Sequence, residues 1–152
     1  MELVCPAGNY PSLKVAVDSG ADAVYIAGQK FGLRSAAQNF TDTEITQGCA
    51  FAHEHGAKVY VVLNGFLFDE ELENLPPFLK TLETAGVDAV IISDLGVVAR
   101  VRALSEMPIH LSTQASALNS HAAHFWKSQG VTRIVLGREV TLGLDPLTGP
   151  LL

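Results

Sequence analysis

The chain has 152 residues, enough for one domain with a sizeable core. Hydrophobic residues make up 48% of it and charged residues 17%, yet the apolar runs are only strand-sized, well short of the roughly 20 residues that cross a bilayer. The formal net charge of −6 argues against a broadly basic nucleic-acid surface, though not against a small local anion site.

Taken in chain order, a first strand is expected near Glu2–Cys5, followed by Pro6-Ala7-Gly8-Asn9 and a helix started by Asn9 before Tyr10-Pro11. Leu13, Ala16, Val17 and Gly20 share one face of that helix. The phrase Gly20-Ala-Asp-Ala-Val-Tyr-Ile-Ala-Gly28 then supplies a strand at Ala23–Ala27, and a long loop carries Lys30, Phe31, Arg34 and Asn39. Thr41 with Glu44 three residues on marks a second helix with Ile45, Cys49 and Ala52 on its apolar face. Gly56 opens the phrase leading to a strand at Lys58–Leu63 and Asn64. Leu72, Leu75, Leu79 and Leu82 follow at helical spacing, in a segment that Pro76-Pro77 splits in two. Gly86-Val-Asp-Ala-Val-Ile-Ile-Ser-Asp94 repeats the earlier phrase with a strand at Ala89–Ser93, and Val97, Val101 and Leu104 mark the next helix. Strand five is expected at Ile109–Thr113. A helix with Ala122, Phe125 and Trp126 starts at Asn119 or Ser120, and Gly130 leads into strand six at Arg133–Gly137.

Each repeated phrase has one physical grammar: a glycine ends a helix in a left-handed turn, and a Val- and Ile-rich run then forms a strand buried on both faces. Strict alternation of six strands with five intervening helices predicts a parallel sheet. A dinucleotide-type glycine fingerprint is missing after the first strand, where Pro6-Ala7-Gly8-Asn9 holds one glycine. The expected fold class is therefore α/β, an incomplete TIM-like (β/α) barrel over residues 1–142 that stops before closure, since a full barrel takes about eight units. Residues 143–152, with two prolines and two glycines, read as an irregular tail.

Sites in parallel α/β folds lie at the carboxyl ends of the strands. Strand five carries most of the signal, because alternation puts His110, Ser112 and Gln114 on one face, and three polar side chains turned inward are costly unless paired or wet. They predict a site lined from base to mouth, the alternative being a solvated face at an open sheet edge. Arg34 suits a carboxylate or phosphate, or a neighbouring surface acid. Asn64 and Asp94 serve as helix caps or site groups, and Arg138-Glu139 as a mouth pair or a surface ion pair. His110, Ser112, Gln114, Arg34, Asp94 and Arg138 are expected to converge at one mouth. His121 and His124 lack a third ligand, His53 and His55 face apart, and neither a His-Glu-x-x-His nor a Gly-x-Ser-x-Gly motif occurs. No member is present to orient His110 beside Ser112, so no protease mechanism emerges from these residues. Cys5 and Cys49 are too few for an iron–sulfur cluster or a four-ligand zinc site, and no cofactor or metal is expected in this chain.

Glu2-Leu-Val-Cys-Pro-Ala-Gly-Asn9, Gly20-Ala-Asp-Ala-Val-Tyr25, Phe31-Gly-Leu-Arg34 and Asn39-Phe-Thr41, then Ser93-Asp94, Pro108-Ile-His-Leu-Ser-Thr-Gln114, Asn119 and Arg138-Glu139, resemble in order the N-terminal barrel of the U32 (collagenase-like) peptidase family. The resemblance covers about residues 2–142, and the stretch from Met107 to Glu139 is most similar to the branch implicated in tRNA uridine hydroxylation. It implies substrate-lining roles for Arg34, Asn39, Asn64, Asp94, His110, Ser112, Gln114, Asn119, Arg138 and Glu139, with catalytic residues unassigned. It also implies an iron–sulfur cluster held by downstream cysteines that Cys5 and Cys49 do not match. The expected function is the substrate-lining part of a tRNA-hydroxylating enzyme, inactive by itself. The alternatives are a collagenase-like protease acting on peptides and an inactive, self-associating fragment. The open first and sixth strands predict a homo-oligomer, and two distant cysteines without a signal-peptide pattern suit the cytoplasm.

Overall fold

The computed structural model describes residues 1–32 and 39–140. Six strands, β1 (Val4–Pro6), β2 (Ala23–Ala27), β3 (Lys58–Leu63), β4 (Ala89–Ile92), β5 (Ile109–Leu111) and β6 (Arg133–Ile134), form one sheet in chain order. Every pairing is parallel, with Tyr25 opposite Tyr60, Tyr60 opposite Ala89, and His110 opposite both Ile91 and Arg133. The architecture is a half-barrel with interleaved helices, as expected.

Among the described residues the helices are α1 (Tyr10–Asp18), α2 (Asp42–Glu54), α3 (Asp69–Leu72), α4 (Leu75–Ala85), α5 (Leu95–Leu104) and α6 (Ser120–Ser128), six where the sequence predicts five. The split falls at Glu73-Asn74, ahead of the prolines, and Pro76-Pro77 lie inside the first turn of α4. Proline is tolerated there because first-turn N–H groups have no helical partner to lose. Gly20 and Gly86 leave their helices at φ +93° and +82°, and Gly56 and Gly130 do likewise, so the recurring glycine is a helix stop as its spacing implies.

Alternate strand residues divide between two layers. Val24, Ile26, Val59, Val61, Leu63, Val90, Ile92, Ile109 and Leu111 join Leu13, Ile45, Leu75, Leu82 and Val97 of the helices in the main core. Fully burying a side chain of this size contributes about 1.5–3 kcal/mol, so this sheet–helix layer dominates the stability. The opposite face carries a smaller cluster of Ala23, Tyr60 and Ala89 with Ile91 against it. That second, concave face holds the polar groups.

Three strands end earlier than the sequence suggests. β5 stops at Leu111 and gives way to a 3-10 turn over Thr113–Ala115, because the Ser112 side chain accepts from the Gln114 N–H and caps that turn. β4 ends at Ile92 and β6 at Ile134.

Candidate functional site

At the base of the concave face four polar side chains meet. Tyr60 of β3 donates its hydroxyl to Glu2 at 2.6 Å, and Arg133 of β6 pairs with Glu2 and approaches the Tyr60 hydroxyl at 3.3 Å. The guanidinium also lies 5.5 Å from the Tyr60 ring centre, and the His110 ring packs edge-on against it at 4.6 Å. Burial drives the His110 imidazole down to about 4, with the Arg133 charge adding to the effect. Burial, then the hydrogen bond to Glu2, pushes the Tyr60 phenol up to about 12. Burial also opposes ionisation of Glu2, but the bonds from Tyr60 and Arg133 outweigh it and hold the carboxyl below its ordinary range. The result is a neutral histidine, a neutral tyrosine and a compensated ion pair that ties the segment just ahead of β1 to β6.

At the carboxyl ends of the strands the arrangement differs. Asn64, next after β3, donates from Nδ2 to Oε1 of Gln114 at 2.7 Å. Gln114 is exposed and Asn64 half-buried. Gly65 fixes the start of this loop: its N–H donates to the Phe31 carbonyl at 2.8 Å, and a Cβ there would sit 2.9 Å from the same oxygen. Phe66 and Phe68 follow, 84% and 77% exposed. Such exposure of two large aromatics within three residues is unusual, since aromatics supply most of a core's apolar area.

Other expected site residues close helices. Asp94 accepts from the Val97 N–H at 2.9 Å and Asn119 from the Ala122 N–H at 3.0 Å, as Asn9 does from Ser12 at 2.9 Å. Thr41 and Glu44 form a reciprocal capping box. Asn39 lines a cleft of about 360 Å³ with Asn9, Gln29, Thr41 and Glu44, apart from the Asn64–Gln114 pair. Because Asn9, Thr41 and Glu44 already serve helix caps, the amide pair is the better candidate for ligand contact. Ser112 is buried beneath the 3-10 turn, and Arg138 and Glu139 are exposed on a turn after β6. Arg34 lies outside the described residues, as does the 143–152 tail.

The structure thus divides the expected group. Asn64, Ser112 and Gln114 come together at the mouth, whereas His110 belongs to the interior layer with Tyr60, because the strand alternation that would align it with Gln114 ends at Leu111. Glu2, Tyr60 and Arg133 were not among the residues singled out from sequence. Their signal was a hydroxyl inside the apolar run Lys58–Leu63 and opposite charges at the starts of the first and sixth strands. Among the described residues, no three His, Cys, Asp or Glu side chains gather as a metal site. Cys49 is fully buried in the main core, where burial pushes its thiol up to about 12, so Cys5 and Cys49 do not fit an iron–sulfur cluster. Among the same residues, no helix is long and apolar enough to cross a membrane.

The solved U32 peptidase Mk0906 superposes with a TM-score of 0.73 at 15% identity, over 90% of this chain and 58% of that one. Phosphonopyruvate hydrolase superposes at 0.60 with 14% identity, over 93% and 60%. At such identities the likeness is one of fold. In sequence, the chain is 46% identical over 141 residues to tRNA hydroxylation protein P1 of Bacillus subtilis, covering 92% of this chain and 33% of that protein. It is 38% identical over 142 residues to the uncharacterized protease MJ0090 of Methanocaldococcus jannaschii, covering 93% and 34%. It is 39% identical over 142 residues to the 23S rRNA 5-hydroxycytidine C2501 synthase of Escherichia coli, covering 93% and 21%. The chain thus spans about a third or less of these relatives. The family model for peptidase family U32 matches residues 8–143, and the chain belongs to that family.

Proposed function

We propose that this half-barrel is the substrate-lining portion of an RNA-hydroxylating protein that works in the cytoplasm on tRNA. One observation carries the reading: the 46% identity, across 92% of the chain, to a protein named for tRNA hydroxylation. A 39% identical relative named as an rRNA 5-hydroxycytidine synthase points to the same chemistry on a second RNA. A mouth lined by neutral amides, with exposed aromatics beside it, suits an uncharged, flat substrate group. Redox chemistry would have to come from groups outside these residues, because Cys5 and Cys49 do not fit a cluster; an iron–sulfur cluster on a further portion of the longer protein meets that need.

A peptidase is the second reading, favoured by the 38% identical relative named as a protease. Against it, His110 packs on Tyr60 while the Ser112 hydroxyl serves the Gln114 N–H, so Ser112 and His110 do not form a nucleophile–base pair. The proposal extends to assembly. Among the described residues, β1 and β6 each pair on one side only, with Leu3, Val4 and Val135 exposed along them, and a second copy would cover those edges. Light scattering showing a micromolar monomer would remove that part.

The test is nucleoside mass spectrometry of tRNA from cells that lack their own tRNA-hydroxylation protein and express the full-length protein containing this chain. Hydroxylated uridine should appear. Its absence, together with peptide cleavage by the same purified protein, would replace this reading with the peptidase one.

A further inference from the structure

Two neutral amides that bond each other once leave one whole NH₂ group and one whole carbonyl oxygen unused. Asn64 Nδ2 donates to Gln114 Oε1, so Asn64 Oδ1 and the Gln114 NH₂ remain on adjacent side chains at the mouth. If both amides were turned over, the pair would still leave one of each. A donor beside an acceptor is what the edge of a nucleobase presents in complement: uracil offers N3–H beside O4, and cytosine its amino group beside N3. The acceptor Asn64 Oδ1 and the donor Gln114 Nε2 match either edge.

A donor–acceptor pair alone does not choose a base over an extended peptide, since one residue of a strand also offers an N–H beside a C=O. Phe66 and Phe68 make the choice. They follow Asn64 by two and four residues and are 84% and 77% exposed. A nucleobase offers a wide aromatic face as well as its edge, so it can be held by amides at the edge and stacked on a ring at once, whereas a peptide group offers only a small planar face for stacking. Charge agrees. Asp69, Glu70, Glu71 and Glu73 follow directly, and residues 59–79 contain no Lys or Arg, so this side of the mouth repels phosphate and suits the uncharged part of a nucleotide.

We infer that Asn64 and Gln114 read the edge of a nucleobase splayed out of single-stranded RNA, with Phe66 or Phe68 supplying the stacking surface. The inference rests on the RNA reading above and names which part of the RNA this portion holds.

The test is anisotropy titration of the 152-residue chain, at one fixed low salt concentration, with a labelled six-nucleotide oligouridylate and an abasic hexamer of the same sugar–phosphate backbone. The oligouridylate should bind at least about tenfold tighter than the abasic hexamer, and Gln114→Leu should weaken it about tenfold with an unchanged melting temperature. Phe66→Ala and Phe68→Ala, tested separately, should include one loss of about tenfold. Equal affinity for the two hexamers, or full affinity in Gln114→Leu, overturns the base-edge assignment and leaves the RNA reading standing. Binding of neither hexamer removes both. Binding of a capped hexapeptide that depends on Gln114, with the oligouridylate ignored, overturns both in favour of a peptide.

Discussion

The concave face has two polar regions built from similar residue types and put to opposite uses. In the interior layer, Glu2 just ahead of β1, Tyr60 of β3 and Arg133 of β6 pair with one another, and the His110 ring of β5 packs edge-on against Tyr60. At the mouth, Asn64 and Gln114 make one bond and keep a donor and an acceptor over, while Asp94 and Asn119 close helices. The difference teaches how to rank polar residues in a barrel. A buried polar group that is fully partnered reports architecture, because leaving it unpaired costs about 1–3 kcal/mol. A half-exposed group with hydrogen-bonding capacity left over reports the possibility of a ligand.

The largest effect should come from removing the centre of the closed layer. Tyr60 is 3% exposed, and Tyr60→Ala should cost about 3–5 kcal/mol in urea unfolding, through the cavity left by the ring and the loss of the hydroxyl's bonds to Glu2 and Arg133. A cost under about 1 kcal/mol would mean that the layer collapses freely and holds nothing together.

The next effect is in pH. His110 is held near 4 when folded against about 6.5 when free, so the unfolded chain binds the extra proton first. Stability from this group is therefore complete above pH 6.5 and lost as pH falls toward 4, on the order of 3 kcal/mol across that window. Glu2, held below its ordinary value, adds losses in the same direction only at the acid end. In His110→Phe the slope between pH 6.5 and 5 should disappear from denaturant melts, and an unchanged slope would assign it elsewhere.

Smaller effects should mark the caps. Asp94→Ala and Asn119→Ala should each cost about 1 kcal/mol by loss of a side-chain acceptor at a helix start, measured by thermal or chemical unfolding. The smallest belong to the amide pair: Asn64→Ala and Gln114→Ala should each change stability by less than about 0.5 kcal/mol, since their bond is open to water. Differential scanning fluorimetry on all four variants orders them, and a cost at Gln114 above that at Asp94 would recast the amide pair as structural.

The legibility of these regions in the sequence follows from the range of the interactions involved. The half-barrel was legible because its signals are local: Gly20 and Gly86 stop helices within one turn, and β2 and β3 coincide with their apolar runs. The caps at Asn9, Thr41 and Asn119 were legible for the same reason. The interior layer was not, because Glu2 lies 58 residues from Tyr60 and Arg133 lies 73 from it, and no local pattern reports such a meeting. Strand alternation continued past Leu111 would put His110 and Gln114 on one face. The Ser112 hydroxyl, by capping a 3-10 turn, ended it.

The contrast between the two regions is tested most directly by one paired measurement on Tyr60→Phe and Gln114→Leu, recording melting temperature and oligouridylate affinity for each. Tyr60→Phe removes the bond donated to Glu2 and the longer one accepted from Arg133, together worth about 1–2 kcal/mol, and should lower the melting temperature by roughly 2–8 °C with affinity unchanged. Gln114→Leu should leave the melting temperature in place and weaken the oligouridylate about tenfold. The account is contradicted if the pattern reverses, with Tyr60→Phe losing affinity at full stability or Gln114→Leu melting early while binding like the parent.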